Sequence, residues 1–89
     1  MPAKVFKNSK VLGQAEDIEI GNGWAVVEAQ PHSELDGLLY YEAIRGGHPR
    51  LGLRPEDHEE DLANTRFEVE YQGQHKYKLT PTIEGMLAT

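Results

Sequence analysis

The sequence predicts an α+β fold, a small antiparallel β-sheet of about five strands with one short helix, in a single domain spanning residues 1–89. Near the C-terminus, two runs alternate apolar with charged residues around a glycine, which is the period of half-buried strands. An Asn22-Gly23 pair separates two further apolar runs, and Asn-Gly supplies the positive φ angles of tight hairpin loops. Pro55 followed by a block of acids marks a helix start. Proline suits the first helical position, and acids suit the positive end of the helix dipole.

Taken from the N-terminus, Val5-Phe6 and Val11-Leu12 predict one or two short strands. Ile18-Glu19-Ile20 and the stretch from Trp24 to Ala29 predict a hairpin around Gly21-Asn22-Gly23. A three-residue loop sets Ile20 across from Trp24 and Ile18 across from Val26; a two-residue Asn-Gly turn changes those partners. Pro31 ends the strand, since it cannot donate to a ladder.

Residues 34–45, ELDGLLYYEAIR, admit two readings. Ser33-Glu34-Leu35-Asp36 has the form of a helix capping box, and Gly46-Gly47 suits a helix end. Against a helix, the apolar side chains point all round the wheel and Gly37 interrupts it. A strand over residues 38–45 is apolar on both faces, as in a central position, and tandem tyrosines favour it. The strand is the preferred reading. Residues 55–63 read as the one short helix, mostly solvated, with Asn64 closing it and Leu51 and Leu53 anchoring it.

The C-terminal hairpin is the clearest element. Phe67, Val69 and Tyr71 alternate with Glu68 and Glu70; His75, Tyr77 and Leu79 alternate with Lys76 and Lys78. An odd-length loop at Gln72-Gly73-Gln74 keeps the apolar residues paired on one face and sets Glu68 opposite Lys76 or Lys78.

Composition narrows the class. The chain carries 15 acids against 9 lysines and arginines, for a net charge of −6. Negative charge disfavours direct nucleic-acid binding, which needs cations to neutralise phosphates. It is compatible with a basic protein partner. With no cysteine, disulfides and thiol chemistry are excluded and a reducing compartment is expected. The longest apolar stretches are four residues, as in residues 38–41, so no membrane segment and no signal peptide is expected. The expected location is cytoplasmic.

Charge is also unevenly placed. Residues 11–44 hold acids and no lysine or arginine, residues 45–55 hold Arg45, Arg50 and Arg54 and no acid, and residues 56–61 hold five acids and one histidine. Glu56, Asp57, Glu59, Glu60 and Asp61 form the candidate surface for a basic partner; the alternative is a solvated helix whose acids favour its N-terminus. His58 beside these carboxylates lacks zinc-type spacing, and the run lacks the glycine and spaced acids of a calcium loop, so no metal ligand is assigned. Arg45, His48, Arg50 and Arg54, in a glycine-bearing loop, are candidates for gripping an anionic ligand, with local pairing to neighbouring acids as the alternative. The serines are Ser9 and Ser33, and Ser33 has a capping role, so no catalytic residue and no cofactor is assigned.

These features together suggest a small acidic protein-binding domain, an inhibitor or accessory factor of a larger partner, with Glu16 to Glu19 as a possible second part of its acidic surface. Viral-type inhibitors of host defence enzymes and acidic immunity proteins match it in size and charge, by analogy of class alone. The alternatives are an anion or small-ligand binder using residues 45–54, and a structural homo-oligomer whose tyrosines sit on an exposed sheet edge or face.

Overall fold

A computed structural model describes residues 2–19, 23–60 and 63–82, with the backbone alone described at Ala63. Six strands and one helix follow in order: β1 (Ala3–Lys7), β2 (Lys10–Ile18), β3 (Ala25–Glu28), α1 (Glu34–Arg45), β4 (Arg50–Pro55), β5 (Ala63–Gly73) and β6 (Lys76–Pro81). All pairings are antiparallel and the sheet closes as a barrel, β1-β2-β3-β6-β5-β4. This corrects the expected open sheet of about five strands. The seam is β1 against β4, with Ala3 opposite Pro55, Lys4 opposite Arg54, Val5 opposite Leu53 and Phe6 opposite Gly52. Closure satisfies the backbone groups that two sheet edges would leave bare. It also removes the sheet edge proposed for homo-oligomer pairing.

The helix lies where a strand was expected, and the end of a strand and a turn lie where a helix was expected. At residues 34–45 the local caps decide. Ser33 Oγ accepts the Asp36 N–H at 3.2 Å, and Gly46 ends α1 in the left-handed conformation with φ +69°. Leu35 and Leu39 face the core, and Tyr40, Tyr41 and Ile44 stay exposed, which is why the apolar residues ring the wheel. At residues 55–60 there is no helix. Pro55 is the buried last residue of β4, and residues 56–60 form a turn and bend held by Glu56 N–H to Pro2 O (2.9 Å) and His58 N–H to Pro55 O (3.0 Å). Asp61 and Leu62 lie outside the described residues. Leu51 and Leu53 are alternate, fully buried positions of β4 rather than anchors for a helix.

The C-terminal hairpin pairs Val69 with Leu79 and Tyr71 with Tyr77. Its turn is Gln74-His75, both at positive φ, and a bulge between Tyr71 and Gly73 supplies the odd residue that parity required. The register sets Glu70, not Glu68, opposite Lys78, and Glu68 opposite Thr80. The β2–β3 hairpin pairs Ile18 with Ala25 rather than Val26, and leaves Trp24 outside the strand, 50% exposed. Ile20, Gly21 and Asn22 lie outside the described residues.

The barrel interior holds Val5, Val27, Leu51, Leu53, Tyr77 and Leu79, closed over at one end by Leu35 and Leu39 of α1. Full burial of each aliphatic side chain contributes about 1.5–3 kcal/mol. Phe6 takes the opposite phase and lies on the outer face of the seam, its ring filling the space a Cβ would need at Gly52. Among the described residues no helix is long and apolar enough to cross a membrane.

Candidate functional site

Antiparallel pairing throughout sorts the connections onto two ends of the barrel. The β1–β2 turn, α1 and the β5–β6 turn lie at one end. Pro2, Glu19 after β2, Gly23 and Trp24 before β3, and residues 56–60 after β4 lie at the other.

The second end gathers acids. Glu19, Glu56, Asp57, Glu59 and Glu60 are all exposed, and the two loops contain no lysine or arginine. Among the described residues none of these five carboxylates forms an ion pair. The candidate acids at 56, 57, 59 and 60 thus share one end of the barrel with Glu19, and Asp61 lies outside the described residues. Beside this loop runs a groove of about 440 Å³ lined by Lys4, Gln14, Arg54, Glu56, His58 and Glu59. Its rim carries both signs of charge, with Lys4 and Arg54 on the strands and the acids on the loop.

The candidate anion-binding residues are spread along the barrel. Arg45, at the end of α1, donates from Nε to Glu42 Oε2 at 3.0 Å and lies 5.4 Å over the Tyr41 ring. Arg54, at the far end of β4, donates from Nη1 to Glu59 O at 3.5 Å. Between them Arg50 pairs across strands with Arg66, a residue the sequence reading passed over. Arg50 Nη1 donates to Asn64 O at 3.1 Å, and Arg66 Nη1 donates to His48 O at 3.2 Å. His48 therefore enters through its carbonyl. These bonds hold the guanidinium groups to backbone oxygens on the outer face of β4 and β5.

The chemistry concentrated at the helical end was also missed. Asp36, on the first turn of α1, is 8% exposed. Its Oδ1 accepts the Tyr77 hydroxyl at 2.6 Å, and its Oδ2 accepts the His32 N–H at 3.2 Å and faces His75 Nδ1 at 2.9 Å. The Tyr77 hydroxyl above all, then the His75 ring and the His32 N–H, hold this carboxyl below the usual carboxylate range, against burial, which raises it. Burial first, and the adjacent carboxylate second, push the Tyr77 hydroxyl well above its ordinary value. An ionised carboxylate only accepts, so His75 Nδ1 is the donor in this contact. The His32 and His75 rings meet edge to face at 6.4 Å. The arrangement ties the N-terminus of α1 to the β5–β6 turn. Among the described residues no three histidines or carboxylates cluster as a metal would require.

One sequence signal pointed here. Tyr77 is in the inward phase of its strand, and a buried tyrosine needs a partner for its hydroxyl. An aspartate three residues after a serine cap is well placed to be that partner only once the fold brings them together. Compared with protein-family models, curated proteins and solved structures, the chain matches none of them.

Proposed function

We propose that this chain is a small acidic protein-binding domain, an inhibitor or accessory factor that presents the acidic end of its barrel to the basic surface of a larger partner. The observation that carries this reading is that Glu19, Glu56, Asp57, Glu59 and Glu60, exposed and without ion pairs among the described residues, lie at one end of the barrel. Acids that the fold does not use for its own pairing cost little to dock against cations. Their summed field steers encounter and makes association fast and salt-sensitive. The barrel supplies a rigid base, and backbone bonds from Glu56 to Pro2 and from His58 to Pro55 fix the acidic loop on it. With no cysteine in the chain, a reducing compartment such as the cytoplasm is the setting we propose.

The test is to replace Glu56, Asp57, Glu59 and Glu60 with lysine in a variant whose circular dichroism matches the wild type, and to compare capture of a partner from the native host. The expected result is at least a tenfold loss of affinity, carried mainly by the association rate and weakened as salt rises. Equal affinity for wild type and variant overturns the acidic-end reading.

A further inference from the structure

The barrel is joined unevenly around its circumference. Among the described residues the β2–β3 ladder holds three residue pairs, Ala15 with Val27, Asp17 with Val26 and Ile18 with Ala25. Beyond Ala15 and Val27 the two strands part. Lys10, Val11, Gly13 and Gln14 stay paired with β1 on their other side. The chain leaving β3 instead turns off into α1, through a turn closed by the Ser33 N–H to Gln30 O bond at 3.1 Å. Pro31, which has no N–H, cannot extend the ladder. No backbone hydrogen bond joins residues 11–14 to residues 28–31.

The parting leaves a groove of about 870 Å³, with residues 12–16 on one wall and residues 28–31 and Ser33 on the other. In a strand paired on one side, alternate residues turn their N–H and C=O to the opposite side. Residues 11–14 present such groups toward the groove. The stretch is held extended without β3, because β1 pairs with it and Leu35 of α1 packs onto Gly13 from the core, filling the space a Cβ would need there. An edge already in strand geometry lowers the ordering cost of adding another strand.

The geometry points to this groove as a site for an extended basic segment of a partner protein, which adds as a strand along residues 11–14. Main-chain bonds to the free edge supply the affinity in this mode of recognition, and the flanking side chains supply the selectivity. The groove is lined by two acids, Glu16 and Glu28, and by no lysine or arginine. Glu16 lies 4.0 Å from Lys76. Lys76 stands opposite Glu28 in the register, yet Glu28 is exposed and forms no ion pair among the described residues. One lysine thus serves two carboxylates, and the groove keeps a negative balance that lysine or arginine side chains of an incoming strand would neutralise. Residues 83–89 carry Glu84 and no lysine or arginine, so charge disfavours the chain's own C-terminal segment as the occupant. The site lies on the side of the barrel and does not depend on the acidic end.

The experiment uses the whole chain with a labelled peptide alternating valine and lysine over about six residues, the length of a typical strand. Fluorescence anisotropy reads binding from about 10 μM to 1 mM, the range suited to an interface below standard size. Amide hydrogen exchange reads its place. Saturable binding is expected, with exchange slowed within residues 11–14. The same peptide N-methylated at alternate residues lacks ladder donors and should bind at least tenfold more weakly, as should a peptide alternating valine and glutamate. Glu28→Lys, at an exposed position, should weaken binding at least fivefold without changing the circular dichroism. No binding at 1 mM overturns the proposal, and so does equal affinity for the N-methylated peptide or in Glu28→Lys. Binding kept in Glu28→Lys but lost when Glu56, Asp57, Glu59 and Glu60 are replaced with lysine would place the peptide on the acidic end and overturn it too. Protection of residues 11–14 by self-association without peptide overturns the choice of occupant.

Discussion

The two ends of the barrel use the same kind of residue in opposite ways. At the helical end the acids of α1 each have a partner. Glu34 pairs with Lys10 at 2.7 Å, Glu42 with Arg45 at 3.0 Å, and Asp36 with His75 and Tyr77 at 2.9 and 2.6 Å. At the other end five exposed carboxylates have no ion pair among the described residues. Charge at the first end holds a helix to a sheet. Charge at the second is left in water, where it repels its neighbours and is open to a partner. The difference separates residues whose removal should damage the fold from residues whose removal should not.

Breaking the helical end should have the largest effect. Asp36→Ala takes the 2.6 Å carboxylate acceptor from the buried Tyr77 hydroxyl, leaving it the 3.2 Å contact to the carbonyl of residue 36, and removes the bonds to His32 and His75. We expect a loss of about 2–4 kcal/mol, read by urea denaturation. The pH dependence sharpens the same point. The Asp36 carboxyl lies below its ordinary value of 3.8 in the folded chain, so the unfolded state binds the proton more readily. The stability it contributes is complete above that ordinary value and is lost as pH falls through the folded value. Asp36→Asn should lack that part of the acid transition, in a comparison of denaturation midpoints between pH 2 and 6. A transition of the same depth in both proteins would mean that the carboxylate is not the anchor.

The seam between the ends is expected to be intermediate. Gly52→Ala drives a Cβ into the Phe6 ring and forces β1 away from β4. Overpacking of this kind costs about 1–3 kcal/mol, measurable as a fall in the urea midpoint at constant slope. The acidic end should show the smallest effect. Replacing Glu56, Asp57, Glu59 and Glu60 with glutamine should change stability by less than about 0.5 kcal/mol, and relief of repulsion favours an increase at low salt. A large loss there would show that those acids serve the fold after all.

Legibility followed the range of the interactions. The C-terminal hairpin was readable because alternation and parity are local, and the bulge at Tyr71/Gly73 supplied the odd residue that parity demanded. The caps of α1 were visible as Ser33 and Gly46-Gly47. The strand reading won because Leu38-Leu39-Tyr40-Tyr41 shows no helical stripe, and half of that apolar surface stays on the outside of the molecule. β4 was hidden by its own composition: Gly52 breaks the run, and Pro55 ends the strand where it reads as a helix start. The acids at 56–60 were found as a cluster, but in the wrong secondary structure. Asp36 was found as a capping residue and missed as an anchor, because His75 and Tyr77 lie 39 and 41 positions away.

By itself the sequence determined what short-range physics can determine: the strand alternation near the C-terminus, the two caps of the helix, the acidic balance and the absence of cysteine chemistry. Only the tertiary structure decided that the sheet closes, because β1 and β4 are far apart in the chain and their pairing depends on every strand between them. It also decided which acids are paired and which are left in water. Ion pairing depends on distance in space, and the barrel sets that distance by sending α1 to one end and Glu19 and residues 56–60 to the other.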